Sequence, residues 1–440
     1  MSSTEPPSRT VSTWRVASAS FAGTTVEYYD FAIYGTAAAL VFPRLFFPAA
    51  DPFVGSLAAF GTFAAGFLAR PVGGLVFGHF GDRIGRKRML VTTLVLMGVA
   101  TTLIGLLPGY ASAGAIAPVL LVLLRLVQGF AFGGEWGGAV LLAYEYAPPH
   151  RRGFFASLPQ TGPAAGVLLG NLVFLPVAAL PDEALLSWGW RVPFLVSIVL
   201  VGIGIVVRLR IAESPEFVAV QRAGAAAKVP LWEVLRHYPR QVLLVCGGFL
   251  GFGALSIVAA TFLLGHATTT LGVDRSSVIT AILLGNVVQL VVVPLSGAMA
   301  DRFGPRPVVL TGSVTAIAAI FLLVAAVETT NVGMIVAGYV LGFGLLYCIG
   351  YGAQPAIYAG AFDARVRYTG MSLGFQLSNV LGSALGPGIA TIVLQVTGQP
   401  LMVAGYVAAM LLISMACLAV LTSPARSVAP VPALPADQTA

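Results

Sequence analysis

Twelve stretches, each long and apolar enough to cross a lipid bilayer as a helix, follow one another along this 440-residue chain with short polar breaks between them. They lie at about 18–42, 54–77, 89–108, 116–141, 154–178, 191–208, 242–266, 276–297, 308–327, 332–356, 369–394 and 400–421. A spanning segment in hydrocarbon must satisfy its own backbone hydrogen bonds, so each stretch is expected to be a helix. Composition agrees: 58% of residues are hydrophobic and 9% charged, against about 25% charged in an ordinary soluble domain. The expected protein is all-α and polytopic, with the lipid bilayer as its solvent and a multi-pass place in the cell membrane.

An even number of spans puts both termini on one side. Of the 24 Lys and Arg, 19 then fall on the side of the termini, three (Arg44, Arg191 and Arg275) fall on the other, and Arg70 and Arg125 lie inside spans. Positive charge in short loops marks the cytoplasmic face, so both termini are expected there. The same distribution accounts for the net charge of +7 without nucleic acid as a partner. The expected parts are a cytoplasmic segment 1–17, a six-helix bundle 18–208, a hydrophilic linker 209–241, a second six-helix bundle 242–422 and a Pro/Ala-rich tail 423–440. No cleaved signal is expected. Cys246, Cys348 and Cys417 are scattered through apolar runs, which suggests neither a disulfide framework nor a metal site.

The linker divides the chain six plus six, and an internal repeat supports the division. The loop Gly78-His79-Phe80-Gly81-Asp82-Arg83-Ile84-Gly85-Arg86-Lys87-Arg88 aligns with Gly297-Ala298-Met299-Ala300-Asp301-Arg302-Phe303-Gly304-Pro305-Arg306-Pro307 as GxxxDRxGxR, 219 residues apart. Two parallel six-span halves are the architecture of rocking secondary transporters. Gly78, Asp82, Arg83, Gly85, Arg86 and Arg88, with Asp301 and Arg302 in the second copy, are expected to act as a conformational latch. A carboxylate just past one helix end is suited to the N-terminus of another helix or to a basic group across the half interface. Pro305 and Pro307 stand where Arg86 and Arg88 would be, so the second latch is expected to be weaker.

The chain resembles the metabolite:proton symporter family of the major facilitator superfamily over essentially its whole length. The resemblance rests on that repeated loop and on Gly23-Thr24-Thr25-Val26-Glu27-Tyr28-Tyr29-Asp30, Phe67-Leu68-Ala69-Arg70-Pro71-Val72-Gly73-Gly74 and Arg125-Leu126-Val127-Gln128-Gly129 with Gly133-Gly134-Glu135-Trp136-Gly137-Gly138. Trp190-Arg191, Pro193-Phe194, Glu213-Ser214-Pro215-Glu216-Phe217 and Arg367-Tyr368-Thr369-Gly370 complete it. It implies two pseudo-symmetric six-helix bundles and proton-coupled uptake, with the proton gradient as energy source and no cofactor. Members carry shikimate-type acids, di- and tricarboxylates, ketoacids, or zwitterions such as proline and betaine. The resemblance also implies a coupling pair between an acid of the first span, Asp30 or Glu27, and Arg125 in the fourth.

An ionisable group within a span costs about 2.5–3.5 kcal/mol near the helix centre, so each is a functional candidate. Glu27 and Asp30, three residues apart, share a helix face. Two carboxylates that close in a low dielectric do not both ionise cheaply, so at least one is expected to carry a proton. Arg125 and Gln128 likewise share a face. Glu135 is ten residues, roughly 15 Å, beyond Arg125 and is beyond its reach; a contact to a neighbouring helix or to the latch loop stands beside a substrate role. Arg70 is either an anion contact or a packing residue. Tyr28 and Tyr29 add polar tips beside the acids.

The second half shows no acid or arginine clearly within a span, which suggests a cavity wall of neutral groups: Asn286, Gln289, Tyr351, Gln354, Gln376 and Asn379. Charge and proton then belong to the first half, and hydroxyl or shape reading to the second. Lone His266 reads as a solvated helix-end residue, and Gly162-Pro163 with Gly166 as packing. No HExxH, Cys/His cluster or GxxxxGK[ST] motif points to an enzyme or an ATP-driven pump. The expected partners are a small polar metabolite, a proton and the bilayer, with the protein acting as a monomer. A small organic acid is the favoured cargo; a uniporter, a drug/proton antiporter and a proline/betaine-type symporter remain open.

Overall fold

The computed structural model describes residues 12–48, 52–225 and 227–423. Residues 1–11 of the expected N-terminal segment, and the expected tail beyond Ser423, lie outside the described residues.

The fold is all-helical. The first six long helices are α1 (Thr13–Leu40), α2 (Pro52–Ile84), α3 (Arg86–Leu106), α4 (Ile116–Tyr146), α5 (Arg152–Ala178) and α6 (Arg191–Leu209). The last six are α7 (Pro239–Thr270), α8 (Arg275–Phe303), α9 (Pro305–Glu328), α10 (Val332–Gly360), α11 (Arg367–Thr397) and α12 (Pro400–Leu421). Among the described residues, ten helical segments are long and apolar enough to cross a membrane, the segments holding α3 to α12. Large apolar side chains stand exposed along their outer faces, among them Leu172, Leu175, Ile203 and Val396, as expected where lipid replaces water.

Within a lipid-facing bundle, helices associate through close packing more than through the hydrophobic effect. The α2–α4 contact is built that way. A Cβ on Gly129 would fall on the Gly66 carbonyl, and one on Gly133 on the Arg70 carbonyl, so glycine lets the two backbones touch. Gly162 and Gly166 do the same for α5 against Thr24 and Tyr28 of α1. These contacts bring α1, α2 and α4 around one crevice.

The linker contains two short helices, Pro215–Arg222 and Pro230–His237. The Ser214 hydroxyl caps the first by accepting from the Phe217 amide at 3.2 Å. Three of the last six helices contain π-helical turns: Val258–Phe262 and His266–Thr270 in α7, Tyr339–Leu346 in α10 and Asn379–Ala384 in α11. Proline lies inside helices of both halves, at Pro71 of α2, at Pro159, Pro163 and Pro176 of α5 and at Pro294 of α8, and a further π-helical turn, Leu185–Gly189, runs into α6.

Two assignments made from hydropathy change. Arg208 does not belong with the loop positives: it is the penultimate residue of α6 and its side chain is buried against α4. Its charge is compensated by an acid on a neighbouring helix, which a hydropathy window does not see. His266 is likewise buried, with Nε2 2.7 Å from Glu328 Oε1 at the end of α9.

Candidate functional site: a buried charge cluster and an end latch

Buried charge is concentrated in the first half. Asp30, in the middle of α1, accepts from Thr101 Oγ1 of α3 at 2.7 Å and from Ser197 Oγ of α6 at 2.7 Å. Gln128 Nε2 donates to the same Thr101 hydroxyl at 2.7 Å, and Arg125 Nη1 donates to Gln128 Oε1 at 3.1 Å. The implied Asp30–Arg125 pair is therefore not a direct ion pair: a Thr101–Gln128 relay stands between acid and arginine. Both oxygens of Asp30 already have hydroxyl donors, and the Arg125 guanidinium lies against the rings of Tyr34 and Phe31, 4.2 and 5.0 Å from their centroids.

Arg70 sits among aromatic rings, its guanidinium carbon 3.8 Å from the centroid of Phe132, 4.0 Å from Phe67 and 4.9 Å from Phe31. Such cation–π contacts contribute about 0.5–2 kcal/mol each when desolvated. Among the described residues Arg70 forms no ion pair. Arg70, Arg125, Gln128, Phe31, Met97 and Phe132 line one narrow crevice, floored by Gly66 and Gly129 and too tight in this structure to admit water. Tyr28 packs edge-on against Phe132, with centroids 5.1 Å apart.

Other candidates are brought elsewhere. The Tyr29 hydroxyl donates to the Pro193 carbonyl at 2.7 Å, which ties α1 to α6. Gln289 donates to the Phe343 carbonyl at 3.2 Å, Asn379 to the Phe375 carbonyl at 3.0 Å, and Gln354 accepts from Tyr358 at 3.0 Å. Gln376 donates across the halves to the Gly133 carbonyl at 2.9 Å. Tyr351 stacks on Tyr347, centroids 4.9 Å apart, and Asn286 is buried on α8. None of these reaches the arginine crevice. A buried amide needs a partner, and here most find a helix carbonyl.

Glu135 neither meets Arg125 nor joins the latch loop. It forms an ion pair with Arg208 of α6 and accepts from Thr93 of α3 at 2.6 Å. The signal in the sequence was a matching arginine at a helix end, hidden by its nearness to the linker.

At the end of the bundle holding the repeated loops, each repeat's aspartate caps a helix of the other half. Asp82 accepts from the Tyr368 and Thr369 amides at 3.3 and 2.9 Å and from the Thr369 hydroxyl at 2.8 Å, at the start of α11. Asp301 accepts from the Gly153 and Phe154 amides at 2.7 and 2.8 Å, at the start of α5. A carboxylate there meets unsatisfied amides and the positive end of the helix dipole. Gly78 is needed for the close approach: a Cβ there would lie 2.8 Å from the Thr369 Cα. Gly85, at φ 116°, makes the turn into α3.

Arg86 lies buried 3.5 Å from both Asp82 and Glu145 and donates to the Ala364 carbonyl at 2.9 Å. Arg367 joins Glu145 at 3.2 Å and also pairs with Glu216 of the linker, which meets Arg152 at 2.7 Å. Glu213 caps α3 through the Arg86 and Lys87 amides at 3.0 and 3.2 Å. Arg83, Arg88 and Arg302 are exposed and turn away from these contacts. One residue on from an aspartate is about 100° around the helix, so Arg83 and Arg302 point away when Asp82 and Asp301 point in. Glu145, Glu213, Glu216 and Arg367 complete the latch. Of these, the sequence showed only that Glu213, Glu216 and Arg367 stand in stretches of family resemblance.

A two-halved bundle of apolar helices, joined at one end by reciprocal helix caps and holding buried charge between its helices, is the build of a polytopic membrane transporter. Residues 16–233 match the sugar (and other) transporter family and residues 244–438 the major facilitator superfamily. The chain is 42% identical to the shikimate transporter of Escherichia coli (strain K12), over 86% of each chain. It is 41% identical to the inner membrane metabolite transport protein YhjE of the same organism, over 86% of this chain and 87% of that one. It is 34% identical to the proline/betaine transporter of Salmonella typhimurium, over 87% of this chain and 78% of the relative. The chain belongs to the major facilitator superfamily, in its metabolite:proton symporter family. Its relatives are transporters rather than enzymes, and it is a multi-pass protein of the plasma membrane that carries small metabolites. The fold is that of XylE from E. coli: a crystal structure of a double-Trp mutant superimposes with a TM-score of 0.74, covering 93% of this chain and 94% of that one at 17% identity. A second structure, of the proton:xylose symporter XylE bound to 6-bromo-6-deoxy-D-glucose, gives a TM-score of 0.71 at 16% identity, covering 93% and 94%.

Proposed function

We propose that the protein takes up a small organic acid together with a proton, by alternating access of two six-helix halves with both termini in the cytoplasm. The observation that carries this reading is the crevice with Arg70 and Arg125 in its wall and buried acids behind it. A carboxylate entering there meets two guanidinium groups in a low dielectric, where charge-assisted hydrogen bonds are strong. The likeness to the shikimate transporter supports an acid as cargo. The same geometry argues against a betaine. An aromatic cage suits a quaternary ammonium, but here the rings of Phe31, Phe67 and Phe132 already surround the protein's own Arg70. The closed latch end corresponds, in this reading, to a cytoplasmic gate shut while the other side loads. The protein works as a monomer, with no cofactor beyond the proton gradient.

Uptake by purified protein in liposomes tests this, using shikimate, ketoacids, dicarboxylates, proline and betaine with and without an imposed pH gradient. Acid uptake is expected to accelerate when the outside is acidified, while betaine uptake stays at background. Arg70→Gln is expected to raise KM for the acid by roughly ten- to a hundredfold, the loss of one charged hydrogen bond of about 1.5–3 kcal/mol. Gradient-independent uptake, or a preference for betaine, overturns the reading.

A further inference from the structure

The two acids of α1 stand in different surroundings. Asp30 is held by two hydroxyl donors. Glu27, one turn earlier, is fully buried, and among the described residues neither of its carboxylate oxygens has a hydrogen-bond partner. An ionised carboxylate in that position has lost its hydration and received nothing in exchange, whereas a neutral carboxyl group loses far less.

A cation stands beside it, engaged elsewhere. The Arg208 guanidinium crosses α1 at Gly23, one helical turn from Glu27 on the same face; a side chain at Gly23 would occupy the guanidinium's own position. Both terminal nitrogens of Arg208 bond Glu135 of α4, and one also bonds the Leu90 carbonyl. Arg208 thus lies between two buried acids on different helices and is bonded to one of them. The other charged or titratable groups facing Glu27 are Tyr28 and Asp30 on its own helix, Arg70 on α2 and Tyr368 on α11. Tyr368 also links this cluster to the latch: its amide donates to Asp82, and its hydroxyl donates at 2.6 Å to the Gly134 carbonyl, next to Glu135.

We propose that Glu27 is the acid that carries the transported proton, and that Arg208 exchanges between Glu135 and Glu27 as the halves rock. With Arg208 on Glu135, as in this structure, the Glu27 carboxyl keeps its proton. When the latch parts and α11 withdraws Tyr368 from Gly134, Arg208 turns to Glu27; the O–H bond breaks, the proton leaves to water, and the carboxylate pairs with the guanidinium. Thr93 continues to donate to Glu135. Asp30 keeps its two hydroxyl donors and with them the relay to Arg125. This assignment rests on the symport reading above and names the acid within it.

Infrared difference spectra of the full chain in liposomes, between acid and alkaline buffer, read the group directly. The expected signature is a carboxyl C=O band at the frequency of a non-hydrogen-bonded acid, present in the unaltered protein and in Asp30→Asn, and lost in Glu27→Gln. Glu135→Gln, which releases Arg208 towards Glu27, is expected to weaken the band at neutral pH. Protein carrying carbon-13 at its glutamate carboxyl groups must show the band shifted, a result that needs no variant to fold. A band that survives Glu27→Gln, that ignores glutamate labelling, or that is unmoved in Glu135→Gln overturns the assignment. Proton entry driven by shikimate in the same liposomes is followed in parallel with a trapped pH dye. Entry without a glutamate band sinks this assignment alone; absence of entry with every acid of the panel sinks the symport reading and the transport role of Glu27 with it.

Discussion

The two copies of the GxxxDRxGxR loop make the same contact in different company. Asp82 and Asp301 each cap the first turn of a helix in the opposite half, α11 and α5 respectively. Around Asp82 the structure adds a buried cluster of Arg86, Glu145 and Arg367, tied to the linker through Glu216. Around Asp301 the bonds come from two backbone amides, and Pro305 stands where Arg86 would supply a guanidinium. The cap is thus the shared element of the repeat, and the ionic cluster is an addition to one copy. Removing a partner from a buried ion pair costs about 3–5 kcal/mol, whereas loss of a helix N-cap costs about 0.5–2 kcal/mol. The Asp82 contact is therefore expected to be the stronger of the two.

That ranking can be broken in order of size. Asp82→Asn leaves Arg86 with one of its two acids and α11 with a poorer cap. A destabilisation of about 3 kcal/mol, roughly a hundredfold in the closed-to-open ratio, is expected. Hydrogen exchange of the amides across 367–378 is the measurement, and unchanged protection there would show the cluster to be passive. Asp301→Asn removes a cap alone and is expected to cost about 1 kcal/mol, some fivefold in exchange at the start of α5. An effect equal to that of Asp82→Asn would erase the asymmetry. The smallest change comes from Pro305→Arg. Among the described residues no acid stands beside Asp301 as Glu145 stands beside Asp82, so melting temperature and uptake rate are expected to stay within the range of a surface substitution, about 0.5 kcal/mol. A clear gain in stability would reveal an acid that receives the new arginine.

Much of this architecture was legible because it rests on local pattern. Apolar length placed the helices, and each of the twelve stretches is helical here. The repeat placed the two aspartates at equivalent corners, and the expectation that such a carboxylate suits another helix's N-terminus has its counterpart in Thr369 and Gly153. What was not legible depends on depth and rotation between helices far apart in sequence. Arg208 looked like one more positive of the linker, since hydropathy falls off at that residue whether its side chain turns to water or to Glu135. His266 looked solitary because Glu328 lies 62 residues on. The relay from Asp30 to Arg125 needs Thr101, a residue whose type carries no signal of its own within an apolar run. The exposed Arg83 and Arg88 had the opposite problem: a signature loop drew attention to every charge in it, although these two face outwards.

The two halves also differ in degree in how their helices depart from regularity: α5 alone carries three internal prolines, whereas π-helical turns lie inside three helices of the second half and the one in the first half precedes α6. A proline kink stays where the proline is, so the bends of α2 and α5 are fixed by covalent structure. A π-helical turn holds one surplus residue with no such anchor, and it can move along its helix as hydrogen bonds are re-dealt. A shift by one position turns everything beyond it by about 100°. In α10 the turn lies at Tyr339–Leu346, packed on α8 and α9, and in α11 at Asn379–Ala384, just past Gln376, which bonds the Gly133 carbonyl of the other half. The second half thus has a means of re-aiming its side chains without sliding a whole helix.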